Sequence, residues 1–500
     1  MAKTVVVVLS RMNYTAWLRW GILAAVFLVP LVPFIVATGG LTGNMFFPYI
    51  TGKNFVFRIL VEIAFLLYII LALKEPKYRP TGSLVMWIGL AFVAWMAVAT
   101  SFSVDPIKSF WSNFERMEGY VGLLHLFVWF VVTGAVLSAE KLWERWFNTS
   151  IAASALMGIY ALLQALHLFG LSPSSQSGIR ADTTLGNATY LAVYMLVMLF
   201  VTLFMLVRRR EQVIWQTLYG LALVLQAAGL YFTETRGAIL GLLIGLLVAA
   251  AWMALFGRGK EWAGLRKTCI GALVVIAVLV GGFFAVKNTS FVQHSSTLNR
   301  LANISLTDRT TIARFQIWEM AWEGFKEKPV VGWGQENFSY VFNKYYNPNM
   351  WDQEQWFDRA HNQFIDWFVV GGLPAGLLYL GLYLAAAWGI LRAQTLSVPE
   401  RAILIGFLAG FAFNNLFVFD NLISAMYFWG FLAFVHSFTR RELPSRLALT
   451  RPMGEHGLAI AAPIVAVVVL AGGWSLNMPG IVRAQTLVGA LQTQTSQGAR

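Results

Sequence analysis

The sequence predicts an all-α, polytopic membrane protein with about 12–13 transmembrane helices. Three observations predict it. Charged residues make up only 12% of the 500 positions, where a soluble domain carries about 25%. Mean hydropathy is +0.63. Apolar runs long enough to cross a bilayer recur from one end of the chain to the other. No compact soluble domain is visible. Residues 1–476 read as one transmembrane domain with a large loop at 287–363, followed by a tail at 477–500.

Taken in order, the candidate spans are 17–37, 55–73, 84–100, 119–137, 148–169, 188–207, 213–232, 237–256, 268–286, 364–391, 402–419, 422–438 and 458–476. The short pair 402–438 is the weakest by length. The net charge is +13, but its distribution excludes a nucleic-acid partner. Alternate loops hold 21 Lys and Arg: Lys3, Arg11, Arg19; Lys74, Lys77, Arg79; Lys141, Arg145; Arg208, Arg209, Arg210; Arg258, Lys260, Arg266, Lys267; Arg392, Arg401; and Arg440, Arg441, Arg446, Arg451. The short loops of the other set hold six: Lys53, Arg58, Lys108, Arg116, Arg180 and Arg236. The positive-inside rule puts the first set and the N-terminus in the cytoplasm, so the basic excess is a topology signal. The single cysteine, Cys269, allows no disulfide within the chain. No signal-peptide cleavage pattern precedes span 17–37, which is long enough to remain as a membrane helix.

On this topology most outer loops are short, and 287–363 is the exception. Long loops in compact proteins are usually functional or disordered, and the Trp, Tyr and Phe content of this one argues against disorder. Within it "TDRTTIARFQIWEMAWEGFKEKP" (307–329) reads as a helix. Ile312, Phe315, Trp318, Trp322 and Phe325 recur every three or four residues and form one apolar stripe. Thr307 or Asp308 can cap its start and Pro329 stops it. Such a helix is expected to lie flat on the outer face with its stripe among headgroups and Arg314 beside the stripe. Gly332 and Gly334 then suggest a tight turn, and Tyr340, Phe342, Tyr345, Tyr346, Trp351, Trp356 and Phe357 an aromatic platform. An interfacial belt and a surface for stacking sugar rings both fit that composition.

Two further outer turns stand out: "TLGNATYLA" (184–192), which opens the sixth span, and "YFTETRGAILG" (231–241), which sets Glu234 and Arg236 at the membrane edge. Arg236 can snorkel to headgroups or serve a site. In "EQWFDRAHNQFIDWF" (354–368), Glu354, Asp358, Arg359, His361 and Asn362 gather where the tenth span enters the bilayer, with Asp366 about one turn further in. An ionisable residue inside a span usually faces the protein interior or a wet cavity. Arg236, Arg314, Arg359 and His361 are therefore expected to converge on an outward-opening cavity, although His361 alone also fits a helix-start residue bonded to local backbone.

These segments carry a family resemblance. "TLGNATYLA", "TETRGA", "RFQIW" (314–318) followed by "KPVVGWGQENF" (328–338), and "DRAHNQFIDWFVVGGLPAG" (358–376) resemble, in order and spacing, the O-antigen ligase and polymerase superfamily of bacterial membrane glycosyltransferases. The likeness covers roughly 180–390. It implies transfer of a glycan from undecaprenyl diphosphate to an acceptor hydroxyl on the outer face of the bacterial cytoplasmic membrane, with no nucleotide sugar, metal or other cofactor. By motif it places diphosphate binding on Arg236 and Arg314 and a role near the sugar on His361. Further residues expected to bind substrate are Arg359, Asn362, Asp358, Asn187, Tyr190, Arg116 and Trp318. Asp358 and Glu354 are the alternative bases. Thr235 stands where a serine usually precedes Arg-Gly and keeps the hydroxyl. The tail 477–500 reads as the start of a soluble helix, and similar sequences often continue into tetratricopeptide-like repeats. The acceptor stays open between a lipid, a growing polysaccharide and a protein, which correspond to ligase, polymerase and oligosaccharyltransferase. An anion transporter is the rival from another class. Against it stands the lack of an internal repeat or of paired broken helices.

Overall fold

A computed structural model gives the structure of the chain and describes residues 14–174, 177–303, 309–351, 356–441 and 451–498. Lys3, Arg11 and Arg446 of the basic set, the cap candidates Thr307 and Asp308, Glu354 and the last two residues of the tail lie outside the described residues.

The fold is all-α, and its elements follow the apolar runs. The helices are α1 (Tyr14–Leu28), α2 (Pro48–Lys74), α3 (Leu84–Ser101), α4 (Pro106–Trp111), α5 (Tyr120–Val136), α6 (Glu140–Ala165), α7 (Ala188–Arg208), α8 (Val213–Phe232), α9 (Arg236–Phe256), α10 (Ala263–Val286), α11 (Ser290–His294), α12 (Ser296–Ala302), α13 (Arg309–Glu327), α14 (Phe338–Lys344), α15 (Gln363–Arg392), α16 (Val398–Asn415), α17 (Leu422–Thr439) and α18 (Glu455–Gly498). Among the described residues, 11 helices are long and apolar enough to cross a membrane, and α5 is a shorter apolar helix. With α16 they stand at the thirteen predicted positions.

Where boundaries differ, local chemistry explains it. Helix α2 begins at Pro48, so Lys53 and Arg58, counted in a loop from sequence, lie inside it. Lys53 is tolerated there because its ammonium donates to the carbonyls of Ile35 (2.6 Å), Tyr49 (2.8 Å) and Thr184 (2.6 Å). Helix α16 starts four residues early because Ser397 and Glu400 form a capping box. Helix α6 starts at Glu140, where Glu140 and Glu144 meet Arg208 at the end of α7, which also reaches Glu400 at 3.1 Å.

Two packing features set up the other end of the bundle. Helices α9 and α16 touch through glycines. A Cβ on Gly241 would lie 2.7 Å from the Gly410 carbonyl oxygen, and one on Gly245 would lie 2.5 Å from that of Gly406. This small-xxx-small contact brings the backbones together and sets the start of α9 against the end of α16.

The second feature is a break in α15. Gly372 adopts φ 69°, ψ −172° inside the helix, a conformation open in practice to glycine alone. The backbone groups freed by the break are taken up by the large loop and by α3. Trp333 N donates to Val369 O at 3.0 Å, Gly334 N to Val370 O at 2.8 Å, and Leu373 N to Pro329 O at 2.8 Å. The Trp95 indole donates to Gly371 O at 2.8 Å. Interrupted helices persist in membranes only where such partners exist. The motifs "KPVVGWG" and "FVVGGLPAG" are thus two halves of one joint, and the predicted tight turn is real, with Gly332 at φ 69° and Gly334 at φ 88°.

Around this joint the loop folds into a small cap with its own core, including Ile317, Met320, Phe338, Phe342 and Phe357. Helix α13 presents Ala313, Ile317, Met320 and Ala321 to that core, while Ile312, Phe315 and Trp322 of the predicted stripe face outward. The aromatic platform divides the same way: Phe342 and Phe357 are buried, and Tyr340, Trp351 and Trp356 are exposed.

Candidate active site

His361 is held by the local structure on several sides. Its backbone is left-handed (φ 53°), an uncommon state for a side chain of this size. Its neighbours fix it there. Ala360 N donates to Asp366 Oδ1 at 2.7 Å, and the Trp318 indole donates to Ala360 O at 3.0 Å. Asn362 caps α15, its Oδ1 accepting from Phe364 N (3.0 Å) and Ile365 N (3.1 Å). The imidazole lies edge-on between Phe357 and Phe419, 5.2 Å from each ring. Nδ1 is 3.3 Å from Arg359 O, so the tautomer that donates there leaves the Nε2 lone pair available. Burial lowers the His361 pKa to about 4, the Arg359 carbonyl opposes that shift, and Arg314 adds to it.

Arg314 also comes toward the end of α16. Its guanidinium is 6.0 Å from the Phe417 ring centroid, and the Trp318 ring is 6.3 Å from the same residue. Arg236 opens α9, and a Cβ on the adjacent Gly237 would lie 3.9 Å from Phe417 Cβ. Phe417 therefore ties the segments of Arg236 and Arg314 together, and Phe419, two residues on, packs on His361. The turn before Arg236 is itself held. Arg180 donates to Thr233 O (2.8 Å) and to the Thr235 hydroxyl (2.9 Å), and Glu234 sits at φ 51°.

Phe419 joins a second group. The guanidinium of Arg116 lies 4.9 Å and that of Arg359 5.9 Å from its centroid. Arg116 grips Asp358 with both arms, Nε–Oδ2 at 2.7 Å and Nη2–Oδ1 at 3.1 Å, and reaches the Tyr190 hydroxyl at 3.0 Å. Burial raises the Asp358 pKa, but the Arg116 hydrogen bond and charge outweigh that and hold it below the usual carboxylate range. Asp358 is thus a poor proton acceptor. Arg359 donates to Glu118 at 2.6 Å and also to Glu336. Burial pushes Glu118 up to about 8 against the pull of Arg359. Beneath this cluster a narrow cavity of about 70 Å³, with Glu118 and Arg359 in its wall, runs toward Phe92, Leu126 and Trp429.

The ten residues named from sequence therefore divide. His361, Arg314 and the Arg236 segment meet around Phe417 and Phe419. Trp318 and Asn362 hold the His361 turn, and Asn187 caps α7 through Thr189 N at 2.8 Å. Arg116, Asp358, Tyr190 and Arg359 are bonded to one another or to Glu118 and Glu336. Those two glutamates, the two phenylalanines and Arg180 escaped the sequence reading. Glu118 lies in the charge-rich run "NFERMEGY" (113–120), and Glu336 lies inside the quoted motif "KPVVGWGQENF".

Residues 221–380 match the family model described as O-antigen ligase. That segment runs from α8 through Arg236, Arg314 and His361 to just past the break in α15. No curated protein matches the chain. Among the described residues, eleven membrane-length apolar helices point to a multi-pass membrane protein, and the matched segment supports membrane glycan transfer of the ligase and polymerase kind. Residues 221–380, about a third of the chain, are thus similar to the O-antigen ligase family.

Proposed function

We propose that the protein transfers a glycan from undecaprenyl diphosphate to an acceptor hydroxyl at the outer face of the bacterial cytoplasmic membrane, with inversion at the anomeric carbon. The observation that carries this reading is the meeting of Arg314, the Arg236 turn and the buried His361 around Phe417 and Phe419. The Lys/Arg asymmetry supports the orientation.

In this reaction the bond between the anomeric carbon and the diphosphate oxygen breaks. The diphosphate leaves with the electron pair and gains negative charge. Fixed cations aimed at that oxygen stabilise the transition state more than the ground state. Arginine suits the task because its planar fork matches phosphate oxygens two at a time. Arg236 and Arg314 come from different segments and grip the group from two sides. Removing one such donor typically raises the barrier by about 2.7–4 kcal/mol.

The acceptor oxygen attacks the opposite face of the anomeric carbon, and its proton passes to Nε2 of His361. Burial lowers the His361 pKa to about 4 and so keeps the imidazole neutral near pH 7, and the approaching diphosphate charge raises its basicity. The flanking Phe357 and Phe419 rings keep water from the same lone pair. General-base catalysis of this kind contributes typically 10²–10⁴-fold.

The test is reconstitution. Purified protein, lipid-linked oligosaccharide and lipid, glycan and protein acceptors are incubated with excess EDTA, and products are read by mass spectrometry. Among the described residues no group of three His, Cys, Asp or Glu is arranged to hold a metal ion, and the arginines neutralise the diphosphate instead. Transfer is expected to persist. Activity that vanishes with EDTA and returns with Mg²⁺ or Mn²⁺ overturns the arginine-only mechanism.

A further inference from the structure

Between the turn that starts α2, the loop after α4 and the turn before α7 lies a pocket of about 220 Å³. A cavity holds one water in about 10–15 Å³ by the same measure, so the space has room for a six-membered ring. Phe47, Tyr49 and Tyr190 give it aromatic walls, and Glu115, Arg116 and Asn187 give it polar ones. Its walls are built rather than incidental. Phe47 holds a left-handed backbone (φ 52°) at the cap of α2. Gly186, at φ 65°, lets the Tyr49 ring approach so closely that a Cβ there would lie 2.4 Å from it. Asn187 uses Oδ1 to cap α7, which leaves its NH₂ to donate. The Tyr190 hydroxyl accepts from Arg116, which leaves its own proton to donate.

We propose that this pocket binds a sugar ring. The inference rests on the glycan-transfer reading and names a subsite for it. A pyranose has C–H faces that pack on aromatic rings and an equator of hydroxyls that both donate and accept. The pocket offers that mixture of apolar walls and a few oriented polar groups. Its charge argues against phosphate. Arg116 is already engaged by Asp358 and lies 3.5 Å from Glu115, so two carboxylates outweigh one guanidinium. The pocket is also linked, through shared wall residues, to the cavity beneath Arg359. Tyr49, Arg116 and Tyr190 continue into a narrow void that reaches Lys53, Glu118 and Asn421. Glu118 and Asn421 then border the cavity under Arg359, two residues before His361. The ring comes either from the donor glycan or from the acceptor.

Saturation-transfer NMR on the protein in nanodiscs, with methyl glycosides of glucose and N-acetylglucosamine as probes, tests binding without requiring transfer. Ring protons of at least one glycoside are expected to receive saturation, and Tyr49→Ala and Glu115→Gln are each expected to cut it roughly fivefold or more. In the transfer assay Tyr49→Ala is expected to raise one KM roughly tenfold with kcat nearly unchanged, the pattern of lost uniform binding. A rise for the lipid-linked donor assigns the ring to the donor glycan, and a rise for the acceptor assigns it there. Tyr49→Phe keeps the ring face and is expected to behave as wild type. A Tyr49-dependent NMR signal in a protein that transfers nothing retains the pocket and defeats the transferase reading. Folded Tyr49→Ala and Glu115→Gln variants with unchanged saturation and unchanged KM for both substrates overturn the pocket, as does the absence of any glycoside signal. If Tyr49→Ala does not fold, Glu115→Gln alone decides between these outcomes.

Discussion

Replacing Gly372 by alanine attacks the joint on which the site depends. The residue sits at φ 69°, ψ −172°, and forcing a side chain into such a region costs about 1–3 kcal/mol. The new Cβ would also lie 1.9 Å from Val330 O and 2.8 Å from Pro329 O, both rigid backbone. Relief requires the 329–334 segment to move away. That breaks Leu373 N–Pro329 O and Gly334 N–Val370 O, both 2.8 Å, at about 0.5–1.5 kcal/mol each. Together these come to roughly 2–6 kcal/mol, a large part of a typical stability of 5–15 kcal/mol. The same movement shifts α13, which carries Arg314 and the indole that holds Ala360. Gly220→Ala in α8, where nothing lies within 4 Å of the added carbon, is the matched control and is expected to be neutral or slightly stabilising. Thermal unfolding in nanodiscs, followed by tryptophan fluorescence, and transfer activity are measured for both. Gly372→Ala is expected to lower the midpoint by several degrees and to abolish most transfer. A Gly372→Ala protein indistinguishable from Gly220→Ala in both assays refutes the account of the broken helix.

Three other predictions follow from charge and topology. Because burial lowers His361 to about 4, the acidic limb of kcat/KM is expected near that pH rather than near the usual 6.5. The same depressed value means that the stability contribution of neutral His361 is complete above about 6.5 and declines as pH falls toward the folded value; a limb near 6.5 contradicts this burial. Arg116→Ala leaves the Asp358 charge buried without its counterion and is expected to cost about 3–5 kcal/mol, with most of it recovered by adding Asp358→Asn; equal unfolding midpoints for single and double variants would show the pair to be unimportant. Single cysteines at Ser296 and Thr395, in a Cys269→Ser background, are expected to label from opposite faces of oriented vesicles, and labelling from one face contradicts the topology.

Much of the fold was legible because membrane helices announce themselves by length and apolarity, and α7, α8 and α9 fall within a residue of their predicted bounds. Arg236, Arg314 and His361 were singled out because short motifs kept their order. What sequence reading missed was long-range pairing, which leaves no periodic signal. The run "VVGGLPAG" was taken as continuous span although Gly372 and Pro374 stood in it, because the partners that satisfy the break lie about forty residues earlier. The glycines of α9 and α16 carry no sequence signal of their partner, and only the close approach of Gly241 to Gly410 and of Gly245 to Gly406 shows which face they share. Glu118 and Glu336 drew no assignment from sequence, yet both close on Arg359. Lys53 was counted in a loop because it precedes the apolar run at 55–73, and its three carbonyl partners, from Ile35, Tyr49 and Thr184, explain its place inside the helix.

The central claim is a division of labour: the arginines hold diphosphate and His361 serves the acceptor. Donor affinity and turnover, measured side by side for folded Arg236→Lys, Arg314→Ala and His361→Ala, test it most directly. Arg236→Lys keeps the charge but loses the fork and is expected to impair transfer strongly. Arg314→Ala is expected to weaken donor binding as well as turnover, since the diphosphate charge is already present in the ground state. His361→Ala is expected to bind donor nearly as wild type and to lose about 10²–10⁴-fold in turnover. A His361→Ala protein that keeps full turnover, or that binds donor as poorly as Arg314→Ala, contradicts the account.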